Sequence, residues 1–560
     1  MSKIIWNQSQ AISPTSSQSV AMELLSKRGL NSHQIKKFSH PDYAKDLEDP
    51  FSLPDMSKAV SRLAKAIANN QKIAIYGDYD IDGLSSCAML GDALTQMGSK
   101  PELYIPDRFE EGYGLNSGAL EKLKAKGMDL VVTVDCGTTA HQQVSLAKKI
   151  GLDIIITDHH EPDNGAPKDA IACVNPKLLK DSPLKDLAGV GVAFYLVRGL
   201  QIKHPSLLPS GNEKWLLDLV ALGTICDVVP LIGDNRVLAK YGLKVLRLSK
   251  RVGLHALAES SGMELSRAHE ADLGFKMGPR LNAAGRLAHA KKALVLLTTD
   301  DPVKATKYAN ELSELNRKRQ ETTKNIYFEA NEQAKKYKRD PILVLSSPDW
   351  SHGVVGIVAS KIAEKWHKPT IILQEMADIS KGSARSYNSF SIVDAIRSCE
   401  EILLSFGGHS FAAGLKLSTE RIEELRYRIG RYAVSNMDAE NNFKTLNIGL
   451  NLVGSQASLG LYDSIVELAP FGSANKKPYC HAKYVVDQVR LVGSDASHLR
   501  LLLRDDEGNV HTAIGFSMAR NFSWLESGQT IEIVFELSEN IWQNRRSHQL
   551  EILDMRIIEQ

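Results

Sequence analysis

The sequence predicts a multi-domain α/β protein: a parallel sheet flanked by helices, then a long helix, a second α/β block and a small all-β region. Three observations carry this expectation. From about residue 55, short apolar runs alternate with helical stretches. A polar segment of helical character covers about 301–338. After about 445 the pattern turns to short alternating strands separated by turn residues. At 560 residues the chain is too long for one ordinary core, so two to four domains are expected.

Residues 1–50 read as a polar lead-in of Ser, Gln and Pro, docked by a short helix. The block 51–300 follows. Lys72–Gly77, Leu130–Val134 and Asp153–Thr157 read as strands, with helices over about 84–98 and 140–150 between them. Strands alternating with helices imply right-handed crossovers and a sheet covered on both faces. The segment 301–338 has apolar positions at Leu312, Leu315, Ile326 and Ala330, and reads either as a connector between lobes or as an ordinary surface helix. A second α/β block, 339–440, opens with strand Ile342–Ser346 and carries glycine-rich turns at Ser351-His352-Gly353 and Phe406-Gly407-Gly408-His409. In 445–560, Arg500–Arg504, Thr512–Phe516 and Ile531–Phe535 alternate, and turns such as Asp505–Asn509 separate them. Those features suit a small barrel or a sandwich.

Composition is that of a soluble globular protein, 43% hydrophobic and 24% charged. The 68 Lys and Arg nearly balance 66 Asp and Glu, so a polyanion site must come from local clustering of cations. The six cysteines, at 87, 136, 173, 226, 399 and 480, include no C-x-x-C pair. That pattern argues against a disulfide framework or a thiolate zinc site and fits a reducing cytoplasm. With no apolar signal core and no run of about 18 apolar residues, a cytoplasmic protein without membrane contact is expected.

Function in such a sheet collects at the carboxyl ends of the strands, and here each strand ends in acid: Asp78-Tyr79-Asp80-Ile81-Asp82, Val134-Asp135 and Thr157-Asp158-His159-His160. Mg²⁺ or Mn²⁺ takes oxygen ligands, and Mn²⁺ also accepts imidazole. Two such ions about 3.5–4 Å apart activate a water and stabilise the leaving oxygen of a phosphate. Asp80 and Asp82 can each address a different ion, Asp135 is placed to bridge, and His159 can complete a shell. Asp227, flanked by apolar residues in Thr224–Pro230, would be costly there unless paired or metal-bound. The plainer alternative for any one of these acids is a helix or turn cap.

Spacing tests the competing motifs. Asp78-x-Asp80-x-Asp82-Gly83 opens like a calcium loop, but Met89 holds the twelfth position where that loop needs Glu. No P-loop pattern occurs. Gly189-Val190-Gly191 starts like a dinucleotide fingerprint, but Phe194 holds the third glycine position.

The residues in Gly77–Gly83, Ile105–Gly114, Val134–Gly137, Asp158–His160, Gly223–Leu231, Gly278–Arg286 and Gly407–His409 resemble, in order, the motifs of the DHH phosphoesterases. Among them the likeness is to the RecJ family of bacterial single-stranded-DNA 5′→3′ exonucleases. The resemblance spans about 70–480 and implies a parallel-sheet DHH catalytic domain, a long connecting helix, a second α/β (DHHA1) domain and a C-terminal OB-fold β-barrel. It implies two divalent ions, Mn²⁺ or Mg²⁺, held by Asp80, Asp82, Asp135, His159 and Asp227. His160 would contact the scissile phosphate, Asp158 would orient its neighbours, and Arg280 and Asn282 would sit at the phosphate under attack.

Arg108, Ser383, Arg385, Gly407, Gly408 and His409 resemble the pocket for a 5′ phosphate, where arginine forks and close backbone N–H groups suit that anion. Tyr113 is either a base-stacking residue or a packed turn aromatic; Arg280 has the alternative of a surface ion pair, and His352 that of a structural role. Relatives in the wider superfamily carry His four residues before the first motif Asp. This chain has Tyr76, which leaves one ion more dependent on water, Asp80 or Asp78.

The implied activity is metal-dependent exonuclease digestion of single-stranded DNA to 5′ mononucleotides, in recombinational and mismatch repair. Single-stranded-DNA-binding protein and a helicase are the implied partners of a monomer. The alternatives are a DHH phosphodiesterase acting on oligonucleotides or cyclic dinucleotides, and a non-catalytic DNA-binding relative.

Overall fold

A computed structural model describes residues 4–16, 19–108, 110–112, 114–437, 445–493, 495–543 and 545–558. Its contacts divide into two compact units. One is built on residues 310–437 with 283–289, the other on 6–282, 290–309 and 445–558.

The larger unit contains two sheets. The N-terminal strand β1 (Ile5–Asn7) belongs to the second of them. The first runs β2 (Ile73–Gly77), β3 (Glu102–Tyr104), β4 (Leu130–Val134), β5 (Asp153–Thr157) and β6 (Ala172–Val174), in spatial order β3-β2-β4-β5-β6 and parallel throughout. The runs IAIYG and LVVTV are buried at every position, because helices cover both faces. Ala74, Tyr76, Val131, Ile154 and Ile156 pack on one face against Leu120, Leu123, Val144 and Ala147, from helices Ser117–Ala125 and His141–Lys149. Helices Ile81–Gln96 and Gly189–Lys203 contact the sheet as well. Helix Leu217–Cys226 packs against Ile81–Gln96 and has no polar face, since it is buried nearly throughout.

The other sheet of this unit closes on itself. Strands β13 (Tyr479–Val492), β14 (His498–Arg504), β15 (Val510–Gly515), β17 (Arg545–Ile557) and β16 (Thr530–Trp542) follow in that order, and β16 pairs back onto β13. The sequence predicts short strands here, whereas three of the five have thirteen or fourteen residues. The reason is closure. The start of β13 pairs with β16 and its end with β14, with a register shift at Val486/Gln488 where it bends. Parallel to β13 lies β12 (Thr445–Asn451), flanked by β1.

The first part of the polar lead-in expected over 1–50 belongs to this barrel region, whereas Tyr43 and Glu48 bond to Glu213 and Asp234 on the parallel-sheet side. Val20, Ala21, Leu24 and Leu25 are buried in the barrel's hydrophobic core, and Trp6 Nε1 donates to Asp554 at 2.8 Å. Buried Arg236 ties the two halves of the unit. Its guanidinium donates to the carbonyls of Phe38, Ala469 and Pro470.

The smaller unit holds a mixed sheet of β7 (Leu343–Ser347), β8 (Thr370–Gln374), β9 (Ile379–Arg385), β10 (Leu403–His409) and β11 (Ala412–Ser418), ordered β10-β11-β9-β8-β7. Only β7 and β8 are parallel. A 35-residue helix, Pro302–Lys336, enters this unit, and Ile326, Ala330 and Ala334 on it pack against Leu343, Val355 and Ile362. Pro302 opens the helix, a position where its missing N–H has no intrahelical role.

Candidate metal centre

The acids at the strand ends converge. After β2 the chain places Asp78, and helix Ile81–Gln96 begins at once, three residues earlier than the apolar pattern predicts. Asp80 explains the early start. It is the N-cap, and its Oδ1 accepts the N–H groups of Asp82 (2.9 Å) and Gly83 (3.2 Å). The capping role and a place in the acidic cluster therefore coexist in this residue.

Asp82, 1% exposed, is gripped by a second helix terminus. Gly189 N–H donates to Oδ2 (2.7 Å) and Val190 N–H to Oδ1 (2.9 Å), at the start of Gly189–Lys203. Asp135 follows β4 with φ of +60°, an uncommon conformation outside glycine, and its buried Oδ1 accepts no hydrogen bond among the described residues. A Cβ on Gly189 would stand 2.6 Å from that oxygen, so only glycine lets the helix approach so closely. Asp227 ends helix Leu217–Cys226. The next residue, Val228, has φ of +61°, a strained state for a β-branched side chain.

His159 Nε2 is 3.1 Å from Asp135 Oδ1, 3.7 Å from Asp227 Oδ2 and 3.8 Å from Asp82 Oδ2. The shortest of these lacks hydrogen-bond geometry. Lone-pair donors thus face one another around a shared space. Three overlapping sets bring their ligand atoms within 4.8 Å of one another: Asp135 with His159 and His160, Asp82 with His159 and Asp227, and Asp78 with Asp80 and Asp135.

Crowding sets the protonation. Burial, and then Asp80, pushes the Asp82 carboxyl up to about 7; burial, then Asp82 and Asp80, pushes Asp227 up to about 9. Asp135 and Asp78 are also held well above the ordinary range, by burial first and neighbouring acids second. The two histidines separate. Burial and the charge on His160 push His159 down to about 3, so its ring is neutral. Burial also opposes charge on His160, but its bond to Asp158 (Nδ1 to Oδ1, 2.8 Å) outweighs that and raises it to about 9. Burial opposes charge on Asp158 as well. The bond to His160 and the N–H groups donated by Thr138, His159 and His160 nevertheless hold its carboxyl below the usual range.

Around this cluster, Asn282 Oδ1 accepts the N–H of Ile81 at 2.9 Å. Arg280 Nη1 donates to Lys276 O at 2.7 Å, four residues back along the chain. Arg108 stands over the Tyr79 ring at 5.1 Å. Tyr113 lies outside the described residues.

Ser383, Arg385, Gly407 and His409 share one face of the mixed sheet in the smaller unit, and Gly408, between the last two, faces the other side. His409 pairs with Ala412, which pairs with Arg385; Gly407 pairs with Gly414, which pairs with Ser383. Directly opposed residues, and those two apart, point to the same side. On the middle strand Ala412 and Gly414, with little or no side chain, stand between them on that face. Gly408 has φ of +145°, and a Cβ on it would meet Ala412 O at 2.4 Å. Gly356, on helix His352–Trp366, lies against Ser383 Oγ and Arg385 Nη2.

The structure places Asp78, which the sequence reading offers as a substitute donor, in the acidic cluster, and it adds Gly189 and Val190, which hold Asp82 and which the motif reading does not assign. Gly-x-Gly at a helix start is the available signal for the latter, and the broken dinucleotide fingerprint conceals it.

Comparison with known proteins follows the same architecture. The DHH family N-terminal domain matches residues 72–224, the DHHA1 domain 339–435 and the RecJ OB domain 448–554. The single-stranded-DNA-specific exonuclease RecJ of Bacillus subtilis (strain 168) is 38% identical over 542 residues, covering 96% of this chain and 68% of that protein. That of Dickeya dadantii (strain 3937) is 36% identical, covering 96% of both. The chain belongs to the RecJ family. RecJ from Thermus thermophilus, solved in complex with Mn²⁺, superposes with a TM-score of 0.81 at 29% identity, over 100% of this chain and 80% of that one. The same protein in complex with Mg²⁺ gives 0.74 at 28%. The fold is therefore a DHH catalytic domain, a DHHA1 domain and an OB barrel. No described helix is long and apolar enough to cross a membrane.

Proposed function

We propose that this chain is a metal-dependent exonuclease that degrades single-stranded DNA from its 5′ end and releases 5′ mononucleotides. One observation carries the reading: neutral His159 Nε2 and the carboxylates of Asp82, Asp135 and Asp227 converge on one space, with no hydrogen bond to Asp135 Oδ1 among the described residues. Membership of the RecJ family supplies the substrate class.

The residues fit two divalent cations. Buried Oδ1 atoms of Asp78 and Asp135 lack partners among the described residues, and an isolated cluster of this charge is costly without a cation. Asp80, Asp82, Asp135, His159 and Asp227 would hold Mn²⁺ or Mg²⁺, with His159 already neutral for ligation. When bound, such ions lower the pKa of a water and neutralise charge on the phosphate.

The chain's own groups do the rest. His160 keeps a proton at neutral pH, and with Nδ1 committed to Asp158, Nε2 is the atom that would face a phosphate oxygen. Arg280 and the Asn282 amide would orient that phosphate. Ser383, Arg385, Gly407, Gly408 and His409 would bind the 5′ phosphate; Arg108 would contact phosphate, and Tyr113 would stack a base. Breaking the P–O3′ bond leaves a 5′ phosphate on the shortened strand, so each product presents the group that the next cycle needs.

The reading divides the chain into a catalytic domain over 51–300, a connecting helix over 301–338, a DHHA1 domain over 339–440 and a barrel over 445–560, after an N-terminal segment 1–50. It also carries single-stranded-DNA-binding protein and a helicase as partners of a cytoplasmic monomer.

The test is digestion, with Mn²⁺ or Mg²⁺, of 5′-labelled strand, 3′-labelled strand and duplex. Mononucleotides released from the 5′ label first, with duplex untouched, support the reading. Asp80→Ala should abolish cleavage and retain DNA binding. No cleavage by the native chain overturns it, and cleavage confined to short oligonucleotides or cyclic dinucleotides transfers it to another DHH chemistry.

A further inference from the structure

Two tyrosines near the carboxyl ends of adjacent parallel strands hold the loop that carries Arg108. Tyr76 on β2 pairs in register with Tyr104 on β3, and their rings stack with centroids 5.1 Å apart and planes 26° apart. The loop 105–116 leaves β3 directly after Tyr104 and returns to helix Ser117–Ala125 through its N-cap, Asn116. Both hydroxyls grip it. That of Tyr76 donates to Gly114 O at 2.9 Å and accepts from Asn116 Nδ2 at 3.1 Å. That of Tyr104 donates to Glu111 Oε1 at 2.7 Å, and Glu111 Oε2 accepts the N–H of Asp107 at 2.8 Å.

Tyr76 is fully buried, and phenylalanine would fill the same stack with no hydroxyl to satisfy. What the hydroxyls add is therefore a hold on the loop. Gly112 and Gly114 take φ of +82° and +77°, so the loop turns through backbone that L side chains rarely adopt. Arg108 follows Asp107 at once, and its guanidinium stands over Tyr79, the residue between Asp78 and Asp80. An arginine on an untethered loop must be ordered each time it binds, and that cost falls on substrate affinity. Resting on the nuclease reading above, we propose that Tyr76 and Tyr104 are positioning residues. Through the loop 105–116 they set where Arg108 meets a phosphate of the strand, and they touch neither DNA nor cation themselves.

The test is a double-mutant cycle on the full-length protein, with single-stranded DNA and Mn²⁺. Tyr76→Phe keeps the stack and removes the tether. It should raise KM about threefold to tenfold and leave kcat unchanged. Arg108→Ala should raise KM at least as much. Adding Tyr76→Phe to Arg108→Ala should then change KM by less than about twofold, because the tether acts only through that guanidinium. Tyr104→Phe, at a half-buried position, should behave in the same way and supplies the cycle where the buried substitution does not fold. Effects that multiply in the double variants, a fall confined to kcat, or a KM unchanged by the tyrosine variants or by Arg108→Ala overturns the proposal and leaves the nuclease reading standing. No cleavage by the native chain removes both.

Discussion

Two regions of this molecule are built for opposite charges, and they are built by opposite means. At the parallel sheet, seven acidic and imidazole side chains are forced together, Asp135 and Val228 take left-handed backbone, and buried oxygens of Asp78 and Asp135 go unpartnered among the described residues. On the mixed sheet of the smaller unit, the proposed anion face is made by leaving side chains out. Gly407, Gly414 and Ala412 stand between His409, Ser383 and Arg385. The first region is a store of unfavourable charge that a cation relieves; the second is an opening that an anion fills. Substitutions should therefore fail differently in the two places.

The largest effect belongs to the acidic region. Asp135→Asn keeps the shape but removes the charge shared between donor sets. Cleavage should fall about a thousandfold or more, the scale of several kcal/mol of transition-state stabilisation. The same change should raise the melting temperature of the metal-free protein, because one repelling acid is gone. Rates and a thermal melt on the one variant check both halves, and a melting temperature that falls would break the account of stored charge.

Arg385→Ala tests the other region. Loss of charge-assisted hydrogen bonds of about 1.5–3 kcal/mol should raise KM for 5′-phosphorylated strands about tenfold to a hundredfold. Turnover at saturation should hold, and the preference over 5′-hydroxyl strands should vanish. A loss confined to kcat would place Arg385 in the chemistry and erase the contrast.

Gly189→Ala has a smaller expected effect and speaks to what is legible in the sequence. The added methyl must push Asp135 Oδ1 away from 2.6 Å, so activity should drop about tenfold to a hundredfold, with stability changed by about 1–3 kcal/mol. Equal activity in both proteins would show that Asp135 is not held where the structure has it. The sequence displays the acids themselves, because parallel strands announce their ends and Asp78–Asp82, Asp135 and Asp158–His160 stand there. It does not display Gly189 as a neighbour of Asp82 and Asp135, since 107 residues separate the hydrogen-bonded pair. The docking of Val20, Leu24 and Leu25 onto the barrel is hidden for the same reason. Strand length in the barrel is hidden too, because closure sets how far a strand extends and periodicity reports only its faces. Local patterns report local structure, and these features depend on chain returning from far away.

The gentlest test is pH, and it separates the regions without a catalytic readout. Asp82 and Asp227 titrate at about 7 and about 9 when folded, against about 4 for an unfolded carboxyl. The folded protein therefore holds more protons than the unfolded chain above pH 4, and stability from these groups must fall as pH rises. Their contribution is complete below about pH 4 and is lost through 7 and then 9. Chelator-treated protein should melt progressively lower from pH 6 to pH 9. Saturating Mn²⁺ should flatten or reverse that slope, since ligation displaces the protons and tightens as they leave. Asp227→Asn should remove the upper part of the fall, whereas Arg385→Ala should leave it intact. A metal-free protein whose melting temperature climbs over this window would mean that the acids are already satisfied, and the contrast between a charge store and an open anion face would go with them.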